Sequence, residues 1–200
     1  MTIGETHPSA KVIEFARTLG SGTSFELSYY NYKPQSLLDE RRTFRIAAKD
    51  LNEKKVAEFL SNLRPNEELA FHSTIIVGTR RRLHLPLIDF AGKLENESLS
   101  LVEQILGAKL FQALLLYQSG RSFHGYVFRP LTGAEWIRFM GSLLLMNLPG
   151  QPPISDARWI GHRLRAGFAS LRWSRNTPQY LAYPTLVSAT LPGFAKSPQC

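Results

Sequence analysis

Tyr117-Gln118-Ser119-Gly120-Arg121-Ser122-Phe123-His124-Gly125-Tyr126 is the stretch from which the fold of this chain is read. An apolar run, Ala113 to Leu116, enters it, and an alternating run, Phe123 to Phe128, leaves it. Two such runs around a short polar break containing glycine predict two strands joined by a tight turn. Ser122 and His124 are two apart, so on a strand they project from one face. With Ser119 and Arg121 they crowd hydroxyls, a guanidinium and an imidazole into six residues, a donor-rich set suited to phosphate oxygens. An ordinary hairpin with a polar tip has the same local pattern, so the choice rests on what surrounds it.

What surrounds it is basic. Residues 1–103 carry 14 Lys/Arg and 14 Asp/Glu, whereas residues 104–200 carry 10 Lys/Arg against Glu135 and Asp156 alone. The whole net charge of +8 therefore lies in the second half. Such a field attracts polyanions, although a solubilising basic surface has the same composition. Two hundred residues with 44% hydrophobic content can fill the core of one compact domain. The single cysteine, Cys200, excludes an internal disulfide framework and a CxxC zinc site. Met1 to Pro8 lacks the basic start and apolar core of a secretory signal, and no apolar run reaches spanning length. The expectation is a cytoplasmic protein with no membrane partner.

Upstream of the hairpin, the spacing predicts a helix over 8–19, strands over 25–32 and 42–47, and a helix capped by Asp50 with Glu53 in the reciprocal position. Tyr29, Tyr30 and Tyr32 on the first strand could stack bases or simply pack the sheet. A β-rich run over 69–78 follows, then Thr79-Arg80-Arg81-Arg82, which reads either as a phosphate-contacting loop or as a solvated tip. Leu83 to Ala91 predicts a strand ending in Asp89, with Pro86 marking an edge or a bulge. A helix over 98–110 leads to the hairpin. Downstream, Thr132-Gly133-Ala134-Glu135 is a capping box opening a helix. Ser155 is read as the cap of a further helix over 156–166, on which Arg158, His162 and Arg165 share a face. A last strand is expected over 168–174. The tail after Asn176 shows no clear periodicity.

The order of these pieces resembles the catalytic core of the archaeo-eukaryotic primase (primase-polymerase) superfamily. The first motif of that family, an apolar strand ending Asp-x-Asp, is matched by Leu87-Ile88-Asp89-Phe90-Ala91. The second, a small residue, any residue and histidine, often after Ser-Gly-Arg, is matched by Ser119-Gly120-Arg121-Ser122-Phe123-His124. The third, an apolar residue before aspartate, is matched by Ile154-Ser155-Asp156 with one residue inserted. Arg163-Leu164-Arg165 followed by Ala169-Ser170-Leu171-Arg172 resembles a shortened form of the family's downstream basic segment. The resemblance spans about residues 83–176.

It implies an α+β fold: one primase-like domain over 1–200, with a smaller αβ lobe at 1–68 before an RRM-like half at 69–200 that carries the motifs. It implies template-directed nucleotidyl transfer with Mg²⁺ or Mn²⁺, in which Asp89 and Asp156 are metal ligands and, with His124, the catalytic set. Ser119, Arg121, Ser122, His124, Arg165 and Arg172 are then candidates for the nucleotide. Arg80, Arg81, Arg82, Arg158, Arg163 and Arg175 are candidates for nucleic acid, DNA foremost. Besides a nucleoside triphosphate, a helicase or another replication or defence protein is an expected partner.

Where the family has its second aspartate, this chain has Ala91, and Ser174-Arg175-Asn176 stands near the place of the family's Lys-Thr-Gly segment. Two-metal phosphoryl transfer needs carboxylates that bridge both ions. The alternative expectation is therefore a binding module of the same fold without catalysis. No Walker A or GxSxG pattern is present. Ser122 and His124 project in parallel from one strand, which makes a poor hydrolase nucleophile–base pair.

Overall fold

The computed structural model describes residues 4–180 and 182–187; Cys200 lies outside the described residues. The chain begins with α1 (Pro8–Ala16), whose first turn carries Pro8 and is capped by the His7 side chain. A hairpin of β1 (Thr23–Tyr30) and β2 (Arg41–Ala47) follows. Next comes α2 (Glu53–Ser61), capped by Asn52 rather than by Asp50, because Asp50 is taken up in a 3-10 turn over Ala48–Asp50. Then β3 (Glu68–Val77) pairs with β1 on one edge.

The run from Leu83 to Ala91 is not one strand. Pro86 cannot donate to a ladder, and the chain changes sheets there. β4 (Arg81–His84) pairs with β3, whereas β5 (Leu87–Asp89) belongs to a second sheet. The helix expected over 98–110 is likewise broken. α3 (Asn96–Leu106) and α4 (Ala108–Phe111) are separated by Gly107 at φ 76°. β6 (Leu114–Ser119) and β7 (Ser122–Val127) form the expected hairpin. α5 (Gly133–Leu144) opens on the complete Thr132–Glu135 capping box. α6 (Ala157–Ala166) is capped by Asp156, not Ser155, whose hydroxyl instead donates to the Leu143 carbonyl at 2.6 Å. β8 (Ser170–Arg172) and the two-residue β9 (Thr185–Leu186) complete the chain. A two-residue strand carries no periodicity, so β9 had no signal in the sequence.

The fold is thus mixed α+β with two antiparallel sheets. The first has the order β2-β1-β3-β4, and the second β5-β7-β6-β9. β8 joins the first sheet beside β4 on the same edge of β3: Thr74–Val77 pair with β4, and Ala70–His72 with β8. One face of β3 carries Leu69, Phe71 and Ile75 into the core, where Phe71 stacks on Trp173 at 4.9 Å. The other carries Ala70 and His72, in register with Ser28, Ser170 and Arg172. The second sheet is packed tightly at Gly125. A Cβ there would meet Leu114 Cδ1 at 2.9 Å, Phe90 Cε2 at 3.1 Å and Ile88 Cβ at 3.2 Å. Among the described residues, no helix is long and apolar enough to cross a membrane.

Candidate functional site

The register of the second sheet sets the site. Asp89 on β5 faces His124 on β7, which faces Tyr117 on β6; one step along, Ser122 faces Ser119. These side chains share a face because positions two apart on a strand do. Gly120 supplies φ +75° at the first position of the two-residue turn, which keeps Ser119 and Ser122 in register.

Asp156 arrives by a separate route. Asn147 mimics a strand edge: its Oδ1 accepts from Ile154 N at 2.9 Å and Ser155 N at 3.0 Å, and its Nδ2 donates to Ser155 O at 3.0 Å. The segment so held runs antiparallel to the end of β5. Ala91 N donates to Ile154 O, and Asp156 N donates to Asp89 O, both at 2.9 Å. Asp156 then caps α6 by accepting from Trp159 N at 2.8 Å. The two aspartates are thereby fixed side by side on different elements.

Burial first, and then the nearby Asp156 charge, push the Asp89 carboxyl up to about 8, against the pull of Arg172 and Arg163. Burial, with Arg172, brings the His124 imidazole down to about 3. Their closest approach is 3.8 Å, too long for a hydrogen bond, and His124 Nδ1 is buried without a partner. Among the described residues, no group of three or more His, Cys, Asp or Glu gathers as a metal site. The donor set is a pair, Asp89 and Asp156, with the exposed methyl of Ala91 on the Asp89 side of the strand. That set fits one divalent cation whose shell is completed by ligand oxygens and water. It does not fit two.

Facing these residues is a wall of arginines. Arg172 Nη2 donates to Ser119 Oγ at 2.7 Å, and its Nη1 donates to the carbonyls of Ser174 and, at 3.2 Å, Ala182. Its guanidinium stacks 4.0 Å from the Tyr180 ring. It thus ties the two sheets together at the Ser119 turn. Arg163 donates to Ser170 Oγ at 2.9 Å and to Asp39, and Arg41 donates to both oxygens of Asp39 at 2.9 Å. Residues 31–40, which connect β1 and β2, close one side, held by Arg158 Nη2 on the carbonyls of Gln35 and Ser36. The cleft so enclosed is about 630 Å³.

Asp89, Ser119, Arg121, Ser122, His124, Asp156, Arg158, Arg163 and Arg172 all line this cleft. Arg165 does not; it is exposed on α6. Arg80, Arg81 and Arg82 sit away from the cleft, at the turn into β4 and along it. Arg175 is exposed, its guanidinium 5.1 Å from the Tyr183 ring. The cleft also holds Asp39, Arg41 and Tyr180, which the sequence reading passed over. Only the Asp39-Glu40-Arg41 run hinted at them, and it lies in an otherwise polar connection.

The sequence pattern described as archaeo-eukaryotic primase 1D-like matches residues 47–185. A comparison with curated proteins found no match. Among solved structures, the crystal structure of primase RepB′ aligns over 90% of this chain with 12% identity and a TM-score of 0.48. The chain spans 56% of that structure's length. With the family pattern covering well over half of its residues, from the β2–α2 junction to β9, the chain belongs to the archaeo-eukaryotic primase-like family.

Proposed function

We propose that the cleft binds the triphosphate of a nucleotide, with one divalent cation on Asp89 and Asp156, in a protein that works on nucleic acid, DNA foremost. One observation carries this reading. Two carboxylates, a neutral buried imidazole, two serine hydroxyls and a buried arginine converge on one cleft from four strands, β5 to β8, and the cap of α6. Mg²⁺ or Mn²⁺, when bound, neutralises phosphate charge and polarises the phosphorus centre. The chain's own residues do the rest. Ser119 and Ser122 offer hydroxyl donors. His124 offers a ring nitrogen with no internal partner. Arg172 supplies a fixed positive charge already oriented by Ser119 and Tyr180. The RRM-like half at 69–200 and the αβ lobe at 1–68 belong to the same reading, as does a helicase or another replication or defence protein as partner.

A second reading is favoured by Ala91. With one carboxylate fewer than phosphoryl transfer by two metals requires, the cleft binds nucleotide without transferring it. Calorimetric titration of nucleoside triphosphate in Mg²⁺ or Mn²⁺, paired with extension of a primed template, separates the readings. Binding that weakens at least about tenfold in His124→Ala and Arg172→Gln is expected. Incorporation abolished by Asp89→Ala assigns the enzyme; binding without incorporation assigns the module. Absence of nucleotide binding with either metal would sink both.

A further inference from the structure

We infer that Arg41 and Arg163 form a second phosphate subsite in the cleft, distinct from the Ser119–His124 side, and that Asp39 occupies it as an internal stand-in for the phosphate. The inference rests on the proposed reading of the cleft as a nucleotide and nucleic-acid site, and names what its other side takes. The frame of the subsite is rigid. Arg41 comes from β2, Ser28 from β1, His72 from β3, Ser170 from β8 and Arg163 from α6. Arg41 Nη1 donates to Ser28 Oγ at 3.1 Å, Ser28 Oγ lies 2.8 Å from His72 Nε2, and Arg163 Nη1 donates to Ser170 Oγ. All but Arg41 are buried, Arg163 to 2% exposure.

The anion, by contrast, belongs to no helix or strand. Asp39 is carried on the exposed strap 31–40, in which Gln35 holds a positive φ of 59°. Its two oxygens meet two guanidinium groups, which is how a phosphate is received as well. Asp39 also leaves the subsite underfilled. Arg163, which lines the cleft, keeps its Nε buried without a partner. A carboxylate has two acceptor oxygens, whereas a tetrahedral phosphate has a third with which to reach such a group. Burial works to raise the Asp39 carboxyl, but the hydrogen bonds and charges of Arg41 and Arg163 outweigh it and hold it below its usual range. The exchange is therefore one anion for another. The incoming phosphate oxyanion is either part of a nucleoside triphosphate or a phosphodiester of a single strand.

The test uses the whole wild-type chain and three probes: sodium pyrophosphate, Mg²⁺·ATP and a single-stranded DNA 12-mer. Displacement of Asp39 releases its end of the strap while Arg158 still holds Gln35 and Ser36, so amide hydrogen exchange over Leu37 to Glu40 should accelerate when the right probe binds. Acceleration by Mg²⁺·ATP assigns the phosphate to the nucleotide, and acceleration by the 12-mer alone assigns it to the strand. Asp39→Asn should bind the effective probe about fivefold more tightly, and adding Arg163→Gln should cancel that gain. A wild-type strap indifferent to all three probes overturns the proposal, whether or not the variant folds. If Mg²⁺·ATP binds while the strap stays closed to every probe, only this subsite fails. If pyrophosphate opens the strap but no nucleotide binds, the proposed function fails and the subsite stands.

Discussion

Asp89 is asked to sit beside another carboxylate in a buried setting, and it resists ionising. Its folded pKa of about 8 lies above the unfolded value of about 3.9. The folded state therefore binds the extra proton, and this group's contribution is full below pH 4 and lost as pH rises toward 8. His7, His72 and His124 work the other way. Burial lowers them to about 4, 3 and 3, so their contribution is present above about 6.5 and lost as pH falls. Asp89→Asn should remove the decline between about pH 4 and pH 8, raising stability at pH 8 by an amount on the order of a few kcal/mol. Thermal unfolding of both proteins from pH 5 to 9 in chelator is the check, and parallel curves would refute the assignment. Ala91 is exposed beside it, and its N–H is already satisfied by Ile154 O. Ala91→Asp should therefore be tolerated and should raise Mn²⁺ affinity by roughly tenfold, as added ligand charge does. An unchanged titration would mean that this position does not face the ion.

At the scale of elements, the site is held by the β5–β7 pairing and by the segment before α6. Gly125→Ala forces a methyl onto Leu114, Phe90 and Ile88 and should cost about 1–3 kcal/mol. Denaturant unfolding measures it, and a neutral result would show that the sheet can open there. Asn147→Ala removes the three bonds to the backbone of Ile154 and Ser155, and a longer one from the Ser155 hydroxyl at 3.3 Å, and should cost about 2–4 kcal/mol. Nucleotide binding should weaken with it, because Asp156 loses its placement. These elements were unequally legible. The β6–β7 hairpin could be read because its signals are local: apolar run, Gly120, alternation. Asp89, His124 and Asp156 were found through short motifs that happen to end strands and begin helices. The split at Pro86 was half visible, since proline forbids a central strand but cannot say which sheet receives each piece. Asn147 left no signal, because a side chain that imitates a strand edge looks like any loop asparagine. Asp39 was hidden for the same reason: its partner Arg163 lies more than a hundred residues away, beyond the reach of any periodicity.

At the scale of the molecule, the charge of the second half is only partly on offer. Arg163 is spent on Asp39, and Arg158 on backbone carbonyls, while Arg121 and Arg165 remain exposed. A single-stranded oligonucleotide should therefore bind with a modest salt slope, roughly −2 to −3 on log–log axes at about −0.7 per phosphate. Fluorescence anisotropy from 50 to 300 mM salt tests this, and a flat line would contradict the polyanion reading. The shared edge of β3 has a further consequence. β4 takes one half of that edge early, and the other half stays bare until β8 arrives. A chain still emerging from the ribosome can thus pair its first four strands and close the β6–β7 hairpin, yet it has no Arg172 to bind Ser119. The wall of the cleft opposite Ser119 is therefore completed only once β8 is in place, and a chain ending before Ser170 would keep both aspartates and the hairpin without the Arg172 guanidinium that meets it.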